Sequence, residues 1–493
     1  MPMSERKFAL IDPKDDVIIA LSDLKKGEVV DGITLLDDVP QAHKIARSDL
    51  PKGHLVIKYG NVIGKLSHDV KKGEWIHSHN LVTSLEGEAG EYTYNKGGIT
   101  HAEPSKKTWW GYLREDGRAG TRNDLFIVPT VGCINSQCQY IKDLFLQKHP
   151  EMEGRVKVLE HPYGCSQLGD DLENTARLLS SLAKSPNAGA SLIVSLGCEN
   201  NRLDGFLKLM EPYDHKRIVS YECQKVEDDI AYGLEKLESL YEIIKDEKRV
   251  ELPLSKLVLG GKCGGSDGFS GLTGNPLLGL VADKIGASGG KVMLTEVPEM
   301  FGAEQDLMNR AKDEKTFEKV VALINDFKAY YARNNQPCYE NPSPGNKDGG
   351  ITTLEEKSNG CILKGGHLEI EDVIGIGEPI KANNLTLVNG PGNDIVAVTN
   401  LAASGANIIV FTTGRGTPLG SIVPTLKLAT NHKLAKNKAN WIDFDAETSF
   451  DIGFPEASEL LLDKLLEIAS GKPARHEEHS LYQIALFKTG VTL

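Results

Sequence analysis

Paired histidines, thiols at glycine turns and cations in anion-shaped loops are the residue types in this chain that could do chemistry. His77 and His79 lie in Trp75-Ile76-His77-Ser78-His79-Asn80, a run that otherwise reads as a buried strand. Side chains two apart on a strand leave the same face with Cα atoms roughly 6.6 Å apart, so both imidazoles can reach one metal ion. The alternative, a satisfied core histidine beside an exposed neighbour, stays open. As a metal site the pair is incomplete, so further ligands and the substrate must come from elsewhere in the chain.

Three further segments each deliver a Gly-Cys pair after an expected strand: Gly132-Cys133-Ile134-Asn135, His161-Pro162-Tyr163-Gly164-Cys165 and Gly197-Cys198-Glu199-Asn200. In an open α/β sheet, ligands collect at the carboxyl ends of strands, so three thiols at equivalent loops point to a shared site for metal, an iron–sulfur cluster or substrate. Small buried cysteines beside tight turns are the structural alternative. The loop Gly260-Gly-Lys-Cys-Gly-Gly-Ser-Asp-Gly offers backbone N–H groups to an anion, with Lys262 adding a cation and Ser266 and Asp267 lying on the same turn. It matches neither the phosphate loop nor the dinucleotide fingerprint, so a carboxylate is the expected anion. Arg415, in Gly414-Arg415-Gly416-Thr417-Pro418, presents a guanidinium suited to a carboxylate, or is an arginine in a surface turn. His476-Glu-Glu-His479 lacks zinc-protease spacing and reads as a solvated turn, and Asp170-Asp171 reads as a helix cap.

The elements that would position these residues fall into three blocks. A chain of 493 residues, 40% hydrophobic and 25% charged, is too long for one core. Its formal net charge of −13 argues against a nucleic-acid surface. No apolar run approaches a membrane span and no signal-like core follows Met1, so a cytoplasmic location is expected, with no membrane partner. The eight cysteines contain no Cys-x-x-Cys pair and read as reduced thiols. Residues 7–85 read as a small strand-dominated domain, with one expected helix over Pro40 to Ser48. Residues 86–107 are polar and aperiodic and read as a linker. From there strands alternate with amphipathic helices, giving α/β domains at 108–250 and 251–493 with mostly parallel sheets. The stretch from Asn335 to Gly377 reads as irregular.

At Gly111-Tyr-Leu-Arg-Glu-Asp-Gly-Arg-Ala-Gly-Thr-Arg-Asn123 the pattern becomes specific. Together with Gly-Cys-Ile-Asn, His-Pro-Tyr-Gly-Cys, Gly-Gly-Lys-Cys-Gly-Gly-Ser-Asp and Thr-Gly-Arg-Gly-Thr-Pro-Leu-Gly it resembles the altronate and galactarate dehydratase family over essentially the whole chain. The resemblance implies an N-terminal β-clip (SAF-like) module followed by two Rossmann-like α/β domains, and length and fusion of the module lie nearer the altronate branch. It implies a hydro-lyase of hexuronate catabolism that turns D-altronate into 2-dehydro-3-deoxy-D-gluconate and water. The cofactor implied is a divalent metal, Fe²⁺ first and Mn²⁺ second. On this reading His77, His79 and Cys133 hold the metal, while Arg118, Arg122, Asn123, Ser266, Asp267 and Arg415 bind the sugar acid. His161, Lys262 and Cys165 are the candidates for proton transfer and catalysis, with His161 and Lys262 leading for the general base. A galactarate or related hydroxyacid dehydratase, an iron–sulfur hydro-lyase and a non-catalytic carbohydrate binder are the alternatives. A homodimer is compatible with the sequence.

Overall fold

Short apolar runs broken by Lys-Lys-Gly and Asp-Gly turns cannot propagate, and residues 7–85 accordingly form strands of two to six residues. The computed structural model describes residues 7–85, 89–97 and 102–493. One antiparallel sheet of the N-terminal module runs Phe8–Ala9, Val17–Ala20, Lys44–Ala46, Trp75–Ile76, and a second runs Leu55–Lys58, Asn61–Leu66, Leu81–Val82. The helix expected over Pro40 to Ser48 does not form. Ala42 takes a left-handed φ of 71°, and Lys44–Ala46 pairs with both Val17–Ile19 and Ile76–Trp75. Nine residues make a marginal helix, and two strand ladders outweigh that local preference.

The second domain is a parallel sheet in the order Val156–Val158, Asp124–Pro129, Ala188–Ser195, Ile218–Glu222. Helices Asn135–Lys148, Gly169–Ala183, Leu203–Met210 and Asp229–Ile244 cover it. Thr108–Leu113 pairs antiparallel with Val250–Pro253, so the chain enters and leaves this domain through one ribbon. The third domain is a seven-stranded parallel sheet in the order Ile370–Ile374, Asn384–Val388, Lys291–Leu294, Val258–Cys263, Ile408–Thr413, Thr425–Ala429, Phe444–Asp445. Phe126 and Val128 of the second domain share a core with Met293, Val388, Val398 and Ile409 of the third. None of the described helices is long and apolar enough to cross a membrane.

The described part of residues 86–107 is laid down on the third domain. Tyr92 and Tyr94 pack against its core, Tyr94 donates to the Ala311 carbonyl at 2.8 Å, and Gly90 exchanges two hydrogen bonds with Asn325. The N-terminal module is fixed more deeply. Lys44 and Lys58, both fully buried, converge on the buried Glu356 of the helix Leu354–Cys361, each at 2.8 Å. Burial alone would raise the Glu356 pKa, but the two ammonium groups outweigh it and hold the carboxyl far below the usual carboxylate range. Thr83 and Ser84 add hydrogen bonds to Glu355.

Removing one member of such a group strands the others without water. Glu356→Gln should therefore cost about 3–5 kcal/mol of stability, read as a fall in the urea midpoint. Because the folded pKa lies below the unfolded one, this contribution is complete above roughly pH 4.3 and drains away as pH falls further. A Gln variant with the wild-type midpoint and acid profile would show that the triad does not hold the module.

Candidate active site

The carboxyl ends of the third domain's central strands converge on a buried group of opposite charges. Val258–Cys263 ends in Lys262 and Cys263, and Lys291–Leu294 leads into Glu296 and Glu299. The helix Leu354–Cys361 and the turn Ile362–Gly365 bring Lys357, Cys361 and Lys364. Ligand atoms of Cys263, Glu296, Glu299 and Cys361 all lie within 4.8 Å of one another, and all four residues are buried. Glu296 sits at φ 68°, a left-handed conformation that costs a non-glycine residue about 1–3 kcal/mol and that survives only where the surroundings enforce it.

Three lysines hold these anions apart. Lys364 Nζ lies 2.8 Å from Glu296, 2.8 Å from Cys361 Sγ and 3.0 Å from Cys263 Sγ. Lys262 pairs with Glu296 and, at 2.9 Å, with Asp394, while Lys357 reaches Glu299 at 2.9 Å. Burial would lower the Lys262 pKa, but Glu296, Asp394 and Glu299 more than reverse this and raise it. Glu299, raised by burial, is brought down to about 2 by Lys357, Lys262 and Lys364. The two sulfurs stand 3.6 Å apart, and the hydrogen bond from Cys361, helped by Lys364, lowers the Cys263 pKa against the effect of burial. Asp394, 39% exposed at the head of the helix Asp394–Ala403, links the group to solvent. A Cβ on Gly264 would lie 2.6 Å from Phe411 Cζ and 2.7 Å from the Asp394 carboxylate, so a larger residue there would have to push both side chains aside.

Two carboxylates and two thiols form a donor set that suits a divalent transition metal. Charge agrees with this. Without metal, the three ammonium groups balance Glu296, Glu299 and Asp394, and one divalent cation can replace the two thiol protons with no change in net charge.

The expected site residues are distributed differently. The strand of the histidine pair stops at Ile76, because Asn80 closes a turn: its Oδ1 accepts from the His77 N–H at 2.8 Å and its Nδ2 donates to the Trp75 carbonyl at 2.9 Å. His77 and His79 therefore lie in a turn, where both contact the Trp75 ring, with centroids at 5.1 and 5.2 Å. Burial, with Lys44 and His43 beside it, lowers the His77 pKa to about 3, so the ring is neutral, and its buried Nδ1 has no hydrogen-bond partner. Cys133 lies in the second domain, exposed, as do Cys165 and Cys198. Among the described residues, His77, His79 and Cys133 do not form a convergent ligand group.

His161 is buried, with Nε2 2.8 Å from the Pro129 carbonyl and Nδ1 accepting from the Tyr163 N–H at 3.2 Å. Both ring nitrogens are used in holding the loop, and burial lowers the pKa, which leaves no lone pair for a general base. Lys262, a leading candidate for the general base, is raised in pKa by its carboxylate partners and so is a fixed cation. Arg122 is spent on a bidentate pair with Glu477, at 2.8 and 2.7 Å, and on the carbonyls of Ile468 and Lys472. Asn123 donates to the Ile244 carbonyl. Arg118 pairs with Asp116 at the edge of a separate 640 Å³ cavity lined by Lys184 and Arg217. Asp267 accepts from Thr430 and Asn431 and so supports its loop. Ser266 Oγ is buried without a partner, and Arg415 is exposed with no ion pair among the described residues.

A continuous rim joins Arg415 to the N-terminal histidines. Arg415 N–H donates to Gly265, Gly268 N–H donates to the Gly349 carbonyl at 2.7 Å, and His43 Nε2 meets the Asp348 carbonyl at 3.3 Å. Sequence reading missed Cys263, Glu296, Glu299, Lys357, Cys361, Lys364 and Asp394 as site residues. The available signal was two glutamates three apart just past an apolar strand, in Thr295-Glu296-Val297-Pro298-Glu299.

Comparison with known proteins agrees with this architecture along its length. The altronate/galactarate dehydratase SAF domain matches residues 6–84, the second domain of D-galactarate dehydratase/altronate hydrolase matches 111–245, and the C-terminal D-galactarate/altronate dehydratase domain matches 254–492. The chain is 45% identical to the altronate dehydratase of Bacillus subtilis (strain 168) over 497 residues, covering 99% of this chain and all of that one. It is also 45% identical to the altronate dehydratase of Escherichia coli (strain K12) over 495 residues, with 99% and 100% covered. The L-threo-forming galactarate dehydratase of Escherichia coli (strain K12) is 32% identical over 491 residues, covering 94% and 93%. With three consecutive family domains matched and full-length relatives at this identity, the chain belongs to the altronate/galactarate dehydratase family.

Proposed function

We propose that this protein is a hydro-lyase that converts D-altronate to 2-dehydro-3-deoxy-D-gluconate and water. The observation that carries the reading is the buried group of Cys263, Glu296, Glu299 and Cys361, set among three ammonium groups in a chain 45% identical end to end to altronate dehydratases. Removing the proton next to a carboxylate puts negative charge on that carboxylate as an enediolate, and the C3 hydroxyl then departs as water. Fixed positive charge where the enediolate develops is what lowers such a barrier. Lys262 supplies it with no reorganisation, because Glu296 and Asp394 already hold the ammonium in place.

A divalent ion, Fe²⁺ first and Mn²⁺ second, held by Cys263, Glu296, Glu299 and Cys361, would supply Lewis-acid charge neutralisation. Arg415, exposed on the rim with no ion pair among the described residues, is suited to the substrate carboxylate. Asp394 is the carboxylate of the group open to solvent, and with both His161 nitrogens occupied it takes the proton-transfer role. The neutral His43–Trp75–His77 cluster forms the facing wall from the N-terminal module.

Offered a panel of aldonates and aldarates with Fe²⁺, the purified protein should form 2-keto acid from altronate well ahead of galactarate. Preference for galactarate would move it to the other branch, and failure of every acid would leave a carbohydrate-binding role. Arg415→Met should raise KM for altronate roughly 10-fold or more, the worth of a charged hydrogen bond, with a smaller change in kcat. An unchanged KM removes Arg415 from the site.

Metal analysis tests the ligand set separately. Cys361→Ser and Glu299→Gln should lose stoichiometric metal by plasma mass spectrometry, and His77→Ala should keep it. The reverse pattern would return the metal to the histidine pair. Lys364→Met, which removes the ammonium from both sulfurs, should change metal affinity by about 10–100-fold, as loss of a group supporting metal ligands does.

A further inference from the structure

Of the eight free cysteines, Cys263 and Cys361 bring their sulfurs to 3.6 Å, which is van der Waals contact between two thiols. They stand 98 residues apart in the chain, so the contact is made by the fold. Cys263 closes the strand Val258–Cys263, and Cys361 closes the helix Leu354–Cys361. A disulfide bond is about 2.05 Å long, so the two sulfurs have about 1.5 Å left to close.

The groups around the pair suit a change in sulfur oxidation state. Lys364 Nζ lies 3.0 Å from Cys263 Sγ and 2.8 Å from Cys361 Sγ, so one ammonium faces the negative charge that passes between sulfurs during thiol exchange. Glu299 Oε2 lies 3.4 Å from Cys263 Sγ and 3.7 Å from Cys361 Sγ and is an acceptor for the proton of either thiol. The charge balance permits the change as well. Lys262, Lys357 and Lys364 balance Glu296, Glu299 and Asp394, and a disulfide is as neutral as the two thiols it replaces. Oxidation therefore leaves no uncompensated charge in the interior. Cys263 and Cys361 are 2% and 4% exposed, and Asp394 links the group to solvent. Such a site excludes a bulky disulfide reagent and admits a small, uncharged oxidant.

We propose that Cys263 and Cys361 are an oxidation site, joined reversibly in a disulfide by a peroxide when the donor group holds no metal. The Cys263 sulfur attacks one peroxide oxygen. The S–O bond forms as the O–O bond breaks, and the departing oxygen leaves as water with the Cys263 proton. The Cys361 sulfur then attacks the Cys263 sulfur, the S–S bond forms as the S–O bond breaks, and a second water leaves with the Cys361 proton. Two electrons pass from the sulfurs to the peroxide, and a dithiol returns two by exchange, becoming a disulfide itself. The joined sulfurs have no thiolate to offer, so the donor set falls to its two carboxylates and metal binding is lost. The linkage rests on the sulfur contact, and only the loss of metal rests on the ligand set proposed above.

The test uses full-length wild type, purified without oxygen, stripped of metal by a chelator and treated with stoichiometric hydrogen peroxide. Free thiols are then blocked with iodoacetamide and the peptides mapped by mass spectrometry without reductant. The expected product is a linked peptide joining Cys263 to Cys361, lighter than its two parts by two hydrogens and separated by dithiothreitol. Protein loaded with Mn²⁺ before the peroxide should keep both thiols free, and oxidised protein should take up Mn²⁺ only after dithiothreitol. Glutathione disulfide in place of peroxide should modify neither position. Absence of the linked peptide at a peroxide dose that has oxidised the exposed Cys133, Cys165 and Cys198 overturns the proposal, as does a mixed disulfide with glutathione at Cys263 or Cys361. Linkage that forms equally in Mn²⁺-loaded protein, or oxidised protein that still binds Mn²⁺, would overturn the ligand set and leave the oxidation site standing. None of these readouts uses turnover, so a failed substrate panel would leave them intact.

Discussion

Neutralisation of charge inside the third domain is the constraint on which the rest of the structure depends. The helix Leu354–Cys361 is buried along its entire length although it carries Glu355, Glu356 and Lys357. Each buried ion costs several kcal/mol to desolvate, so the helix can occupy the interior only if every charge meets a partner there. Glu356 finds Lys44 and Lys58 of the N-terminal module, Glu355 finds Thr83 and Ser84, and Lys357 finds Glu299. One helix thus ties the module to the strand ends at which the candidate site lies.

That coupling bears on why a small β module is fused to a large α/β body. Loss of the module would strip Glu356 of its two cations, three residues along the chain from Thr353, whose hydroxyl also bonds to Ile63 of the module. Cys361 and Lys364 follow within a few residues on the same segment. The module therefore does more than present the His43–Trp75–His77 wall, since its lysines help fix the segment that supplies a thiol and an ammonium to the site.

Much of the architecture was legible from sequence because parallel strands buried on both faces show as continuous apolar runs, and the amphipathic helices covering them show a clear period. The small module was legible as strand-dominated, but Lys44–Ala46 was not, since a short segment with an acidic cap resembles a helix until its two partner strands are known. The histidine pair misled for a related reason. Asn80 falls inside the run that reads as a strand, and its role as the group that closes the turn depends on backbone contacts. The segment 354–361 was invisible as a buried helix because Leu-Glu-Glu-Lys-Ser-Asn-Gly-Cys has no apolar face. Its burial is earned by partners up to about three hundred residues away, which no local pattern records.

The same reasoning sorts the cationic candidates. Arg118 and Arg122 sit in one conspicuous motif, Gly117-Arg118-Ala119-Gly120-Thr121-Arg122-Asn123; Arg118 makes only a half-exposed pair with Asp116, whereas Arg122 is fully engaged. The Arg122 guanidinium binds Glu477 and the carboxyl end of the helix Phe454–Ala469, which docks the ribbon of the second domain against the third. A motif residue engaged in five hydrogen bonds to its own chain has no donor geometry left for a bidentate sugar acid. Lys262 is equally engaged, yet its contacts differ in kind. Besides the Cys263 and Gly392 carbonyls they are to Asp394 and to Glu296, which itself approaches the Cys263 sulfur, so its charge remains part of the site's field. On the proposed reading the sugar-acid carboxylate is left to Arg415, an exposed cation with no ion pair among the described residues.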